Sequence, residues 1–342
     1  MADIGAQIAL DSDETDSAFG DDSASETTSL KSAVINYKYR NGRRYHAYKE
    51  GSYCAFTCPV LFYPTGPTPL LYPSTLPIDC LTGGPNDETQ AEQLDIVHHI
   101  CLLLLDGELH MAPLTKDPMR VLDLGTGTGT DLSPTQPSMI PPNLRFEVDD
   151  FTEPWLFRKE SFDLIHARSL FGCVADWPKL YQEALDHLQP GGWFEQLEMS
   201  VVPKSDDGTV EPGSIFDKWG KISVELGDKF GKSLRTADEA KAGIEAAGFI
   251  NVVEHRWKLP IGGWPADKRF KELGLYNRIN WEQGIEGWSL YLLTTIMKWT
   301  IEEVQVYLAL MRQALRDRRI HAYQEVSLVY GQKPPKPSAP SP

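Results

Sequence analysis

From residue 87 onward, apolar residues recur at regular spacings. Leu94, Val97, His98, Cys101, Leu102 and Leu105 step by three and four, which predicts a helix over 87–110. Val121, Leu122 and Leu124 form a short apolar run that predicts a strand, and Gly125, Gly127 and Gly129 follow it. Further strands are predicted at 145–150, 161–168, 192–199, 249–257 and 321–331. Asp176 is placed to cap a helix over 177–188, with Leu180, Ala184 and Leu188 on one face and Pro190-Gly191-Gly192 ending it. Thr236 with Glu239, and Thr300 with Glu303, have capping-box spacing. They open helices ended by Gly248 and near Arg318. A helix-rich, tryptophan-rich block at 264–318 is inserted before the last strand. Strands alternating with helices predict an α/β fold built on a doubly wound, mostly parallel sheet, with the last strand antiparallel at one edge.

The pattern is lost before residue 87. Residues 1–30 hold eight acids and no Lys or Arg, so 1–32 reads as a disordered acidic tail. A basic and aromatic arm spans 33–53, with Tyr37, Tyr39, Tyr45, Tyr48 and Tyr53 among five Lys and Arg, and a turn signal at Asn41-Gly42. The stretch 54–85 is an atypical Pro- and Cys-rich insertion. Pro59, Pro64, Pro67, Pro69, Pro73 and Pro77 break any helix or central strand there. The domain proper is 86–334, followed by a disordered tail at 335–342. In 342 residues, 41% hydrophobic and 24% charged, a sizeable core can form, which excludes a wholly disordered or fibrous chain. The net charge of −15 excludes a general nucleic-acid binder. The five cysteines, at 54, 58, 80, 101 and 173, are odd in number and lack metal-site spacing, so neither a disulfide framework nor a metal site is expected. His98-His99 followed by Cys101 reads as one helix with a buried His. No leader peptide and no apolar run of membrane-spanning length is visible, so an intracellular protein, cytoplasmic or nuclear and without membrane contact, is expected.

A strand ending in Asp123-Leu-Gly125-Thr-Gly127-Thr-Gly129 brings bare backbone close to a ligand, at the carboxyl end of the strand where open α/β sheets bind. It is joined by an acidic pair, Asp149 and Asp150, closing a later strand, and by FDLIHAR (162–168) and PGGWFEQLE (190–198). In this order, with NGRRYHAY (41–48), HHICLLLLDGELHMAP (98–113), DLSPTQPSMIPPNLRFEVDD (131–150) and VSLVYGQKP (326–334), the chain resembles the class I S-adenosylmethionine-dependent methyltransferases. It is most similar to the fungal LaeA-like group, whose members regulate or tailor secondary metabolism. The resemblance covers about 33–53 and 86–334. It implies S-adenosyl-L-methionine as cofactor. Gly125, Gly127 and Gly129 would lie under its amino-acid part, Asp123 beside them, Asp131 on the ribose hydroxyls, and Asp149 or Asp150 at the adenine.

Two departures from the family pattern stand out. Only six positions separate Gly125 from Asp131, where the ribose-binding acid is ordinarily about 20 residues beyond the glycines. The helix and second strand that fill this interval are expected to be missing, and the cofactor to bind weakly or not at all. The insertion at 54–85 is the second departure. Both have abrupt edges, as a retained intron and a skipped exon segment would leave; a diverged homologue is the alternative. The first functional reading is therefore an enzyme that methylates a small natural product or a protein acceptor. His166 and Arg168, ending a strand, are the candidates to face substrate, and Trp257, Trp264, Trp281, Trp288 and Trp299 are candidates to wall an apolar pocket. The alternative is a catalytically weak regulator acting through protein partners. A dinucleotide-binding oxidoreductase is disfavoured, because G-x-G-x-G lacks the spacing of that fingerprint and opens no helix. Gly127→Val is expected to weaken S-adenosylmethionine binding in a calorimetric titration; an affinity equal to that of the unaltered chain would remove this loop from the site.

Overall fold

The computed structural model describes residues 88–114, 119–124, 130–131, 147–148 and 150–336, together with Ile8, 38–40 and 43–45. Gly125, Gly127, Gly129, Asp149 and almost all of 1–32, 54–85 and 335–342 lie outside these residues. Ile8 is buried, at 6% exposure, which a purely solvated tail does not predict. Strands β1 (Lys38–Arg40) and β2 (Arg43–Tyr45) pair antiparallel across positions 41–42, as the Asn-Gly signal predicts.

Helix α1 (Glu88–Leu104) stops earlier than its apolar period suggests, because Asp106 and Gly107 take positive φ. After it come β3 (Val121–Leu124), β4 (Thr130–Asp131), β5 (Glu147–Val148) and β6 (Phe162–Arg168). Next are α2 (Trp177–His187), β7 (Leu188–Met199), α3 (Ile215–Phe230) and α4 (Thr236–Ala246). The chain finishes with β8 (Ile250–Pro260), α5 (Lys268–Thr295), α6 (Ile301–Arg316) and β9 (Tyr323–Gln332). The seven strands β3–β9 form one sheet in the order β5-β4-β3-β6-β7-β9-β8. β3 to β7 are parallel, and β9 lies antiparallel between β7 and β8. The last strand is therefore antiparallel but one place in from the edge; β8 takes the edge, with Ile250 and Val253 partly exposed.

The expected gap after the glycine strand is partly filled. Thr130 pairs with Leu124 on one side and Glu147 on the other, so two residues occupy the second-strand position. The interval 125–129 is too short for the crossover helix that parallel neighbours ordinarily require. Two further sequence readings change. Pro190-Gly191-Gly192 does not end α2 but lies in the bulged start of β7, where Leu188 already pairs with Phe162. Gly191 has φ +82, and a Cβ on Gly192 would stand 2.9 Å from the Gln189 carbonyl oxygen and 3.1 Å from that of Asp163, so only glycine permits this approach. Thr236 is the first helical residue of α4 rather than its cap, and Ser233 Oγ donates to Glu239 instead. Helix α3 is an addition. Its signals, Ser214 accepting from the Asp217 N–H and Gly231 at φ +74, stand in the sequence.

Helices cover both faces of the sheet. On one, Leu180, Tyr181 and Ala184 of α2 and Ala240 and Ile244 of α4 pack on Ile165, Phe194 and Val329. On the other, Val97, Ile100, Cys101 and Leu104 of α1 and Leu273 of α5 pack on Leu197, Met199, Val326 and Leu328. The 28-residue α5 runs on past the sheet, and its second half joins α3 and α6 in a separate core around Trp281 and Ile285. The capping box of α6 is complete, with Thr300 Oγ1 accepting from the Glu303 N–H and Glu303 from the Thr300 N–H. Thr300→Ala removes one half of that exchange and is expected to cost about 1 kcal/mol of unfolding free energy in denaturant titration; an unchanged midpoint would show that α6 does not need its cap.

Candidate active site

The sheet register sets Asp123 of β3, His166 of β6 and Glu195 of β7 side by side. All three side chains are buried, at most 3% exposed, on the face covered by α1 and α5. His166 Nδ1 lies 2.9 Å from Asp123 Oδ1 and its Nε2 lies 3.5 Å from Glu195 Oε1. Both ring nitrogens thus face carboxylate oxygens, and neither points into open space. Glu195 Oε2 accepts the backbone N–H groups of Met111 and Ala112 at 2.8 and 2.6 Å, which ties the segment after α1 to the sheet. Among the described residues, two buried carboxylate oxygens of this row accept no hydrogen bond: Asp123 Oδ2, next to the carboxyl end of β3, and Glu195 Oε1, which faces His166. Burial raises the Asp123 carboxyl above the usual range, and the hydrogen bond from His166 opposes that rise.

Arg168 ends β6 on the same face. Its Nη2 lies 3.3 Å from His98 Nδ1 of α1. Burial, with the guanidinium charge second, pushes His98 down to about 4, so that ring is neutral and accepts from Arg168. His99 instead packs edge-on to Tyr276, and Cys101 is buried in the sheet core, so this group does not gather as ligands. Among the described residues no three His, Cys, Asp or Glu side chains gather around a metal-sized space, and no helix is long and apolar enough to cross a membrane.

The opposite face carries a polar chain that the sequence reading missed. Tyr181 donates to Gln196 at 2.9 Å, and Gln196 donates to Glu198 at 3.0 Å. Glu198 also accepts the N–H groups of Leu170 and Phe171, at 3.1 and 3.2 Å. It therefore fixes the turn that follows β6, where Ser169 holds φ +55. Burial raises the Glu198 carboxyl to about 7, opposed by its hydrogen bonds.

Beyond the ends of β6 and β7, helices α3, α5 and α6 close over a partly open cavity of about 50 Å³. Trp219, Trp281, Trp288 and Tyr307 form much of its wall, and Ser169, Phe171 and Met199 its floor. Trp281 Nε1 donates to Gln324 at 2.7 Å, which holds the indole in place. Of the expected pocket tryptophans, Trp281 and Trp288 are there. Trp257 and Trp264 are buried elsewhere in the core, the latter donating to the Ala322 carbonyl, and Trp299 packs behind Tyr307. Trp219 joins the wall because α3, which the sequence reading did not place, brings it there. Among the expected cofactor residues, Asp123 is next to last in β3 and Asp131 ends the adjacent β4. Asp150 is buried, and its Oδ1 accepts from Thr152 N and Oγ1, so it orders the turn after β5.

A family model described as a methyltransferase domain matches residues 97–252. The chain is 35% identical over 331 residues to methyltransferase pytC of Aspergillus terreus, covering 92% of this chain and 93% of that one. The chain belongs to the LaeA-like methyltransferases. It is also 31% identical to the secondary metabolism regulator LAE1 of Cochliobolus heterostrophus, over 86% of this chain and 94% of that one. Among solved structures it is similar to phosphoethanolamine N-methyltransferase 2 of Haemonchus contortus at 17% identity and TM-score 0.39, over 71% of this chain and 52% of the other. As a LaeA-like methyltransferase it is a class I enzyme that uses S-adenosylmethionine.

The buried Glu198 makes stability depend on pH. Its folded carboxyl titrates near 7 against an ordinary 4.5, so the folded state holds a proton that the unfolded state has released. The stabilisation is complete below about 4.5 and is lost as pH rises through 7. Relative to Glu198→Gln, the unaltered enzyme is expected to lose roughly 3 kcal/mol across that window, measured by urea unfolding at a series of pH values. Parallel pH slopes for the two proteins would show that Glu198 ionises in its ordinary range.

Proposed function

We propose that this enzyme methylates a small molecule held in the cavity beneath α3, α5 and α6. The carrying observation is the pairing of that cavity with the buried, half-satisfied Asp123 carboxylate, both at the carboxyl side of the central strands. Of the two unpartnered carboxylate oxygens, Glu195 Oε1 already faces the His166 ring, whereas Asp123 Oδ2 calls for a positive group to meet it. The ammonium of the cofactor's amino-acid part fits that requirement. Bound S-adenosylmethionine supplies a methyl group on a sulfonium, an electrophile strong enough that the protein contributes mainly alignment and a dry surround.

The residues then divide as follows. His166 holds Asp123 Oδ1 and so leaves Oδ2 for the ligand; it positions rather than abstracts a proton, since both its nitrogens face carboxylates. Arg168, steadied by His98, sets a buried positive charge on the same face, suited to the carboxylate of the same amino-acid part. Gly125, Gly127 and Gly129 follow β3 and supply the close approach of backbone. Asp131 serves the ribose hydroxyls from the end of β4, and Asp149 or Asp150 the adenine. The two-residue β4 supports this assignment, because Thr130 pairs with Leu124 and Glu147, and Asp131 follows it, paired with Val148 of β5.

The regulator reading, in which the fold is kept for protein partners, is favoured by the likeness to LAE1. Calorimetric titration with S-adenosylmethionine separates the two. The unaltered enzyme is expected to bind, contrary to the weak or absent binding that the short interval between Gly125 and Asp131 predicts, because β4 fills the second-strand position. Asp123→Asn, checked for folding by its melting curve, should bind about ten- to a hundredfold more weakly, the loss of one charge-assisted hydrogen bond of roughly 1.5–3 kcal/mol. No heat from the unaltered enzyme would favour the regulator.

A further inference from the structure

The wall of the cavity names the chemistry of its occupant. No Asp, Glu, Lys, Arg or His lines it. A charged molecule would leave water there and meet no counter-charge, at a cost that apolar contacts do not offset. Its wall is apolar instead, with five aromatic rings, those of Phe171, Trp219, Trp281, Trp288 and Tyr307, set among eight aliphatic side chains. Trp219 packs edge-on or tilted to Trp281 and Trp288, with centroids 5.2 and 6.4 Å away, and parallel to Tyr307 at 6.2 Å.

Among the described residues, two hydroxyls interrupt this surface without hydrogen-bond partners of their own. Ser169 is 2% exposed and its Oγ makes no hydrogen bond. It stands at the carboxyl end of β6 in a left-handed conformation that a serine rarely adopts, held there by the Glu198 contacts to the next two N–H groups. Tyr307, 8% exposed, likewise carries a hydroxyl with no partner. Its phenol is pushed up by burial, so it stays a neutral donor. By contrast, the neighbouring polar groups are already engaged. Trp281 donates to Gln324, and Asn280 donates to Asn277. A buried hydroxyl without a partner costs free energy that a ligand can recover.

Resting on the acceptor reading above, we infer that the acceptor is an uncharged, mainly aromatic molecule with a hydrogen-bonding group that meets Ser169 Oγ beside the strand ends and a second polar group that meets the Tyr307 hydroxyl. Ser169 and Tyr307 are then the specificity-determining residues of the pocket, and the tryptophans supply affinity without direction.

Fluorine NMR on the full chain tests this with three probes of similar size: fluorohydroquinone, a neutral phenol with two hydroxyls, para-fluorobenzoate and para-fluorobenzylammonium. The neutral phenol is expected to broaden on binding, and the anion and cation to stay sharp. Ser169→Ala and Tyr307→Phe, each checked by its melting curve, should weaken phenol binding roughly two- to tenfold, as loss of one neutral hydrogen bond does. Tighter binding of the ammonium would overturn the inference in favour of a cation held by the rings, and binding of the benzoate would overturn it as well. Phenol binding unchanged in both variants would remove the two hydroxyls from recognition. No binding of any probe by an enzyme that still binds S-adenosylmethionine would refute this inference alone. Failure to bind the cofactor itself would instead count against the methyltransferase reading.

Discussion

A carboxylate, an imidazole and a second carboxylate lie in a row across three adjacent parallel strands, and the candidate site depends on that row. Asp123, His166 and Glu195 are each nearly inaccessible to water. Charges taken so deep are tolerated only while each keeps its partner, and removal of one leaves the others uncompensated. The row also sets direction. Glu195 uses its second oxygen to hold the segment behind α1, whereas Asp123 keeps its second oxygen unspent. Glu195 Oε1 also accepts no hydrogen bond among the described residues, but it faces the His166 ring at 3.5 Å, whereas Asp123 Oδ2 does not.

Glu198 plays the corresponding part on the far side of the sheet. It is a carboxylate surrounded by N–H donors rather than by a cation, and it secures the turn in which Ser169 is strained. Two buried acids three positions apart on β7, one per face, thus each fix a different segment: Glu195 the one after α1, Glu198 the turn after β6. Loss of either would be felt in its own segment before the sheet as a whole gave way, because each anchors a different loop.

Much of this was legible in the chain. The apolar spacing gave α1, the strand ends were marked by Asp123 and Arg168, and Asp176 and Thr300 capped the helices predicted for them. What was not legible had physical reasons. Residues 130–131 are too few to show a strand's alternation, so β4 exists only through its neighbours on both sides. Pro-Gly-Gly reads locally as a helix stop, yet the close approach of β6 draws it into β7. His166 looks like a free base in one dimension, because nothing in its sequence neighbourhood announces that Asp123 and Glu195 lie opposite it. Trp219 could have been found, since Phe216, Trp219, Ser223 and Leu226 recur at helical spacing between Ser214 and Gly231, but nothing local shows that this face closes over the strand ends.

The length of α5 has a mechanical consequence. Near its start, Gly274 lies against the loop after β8, where an added Cβ would fall 2.1 Å from the Gly262 oxygen, so the rod is pinned close to the sheet. Trp288, on the cavity wall, lies 14 positions farther on, an arm of about 21 Å at 1.5 Å per residue. A tilt of about 5° about the pinned end would carry the indole roughly 2 Å, the scale on which an aromatic wall opens or shuts. Small adjustments where α1 and α5 meet over the sheet would therefore be magnified at the acceptor cavity, with no loop having to move.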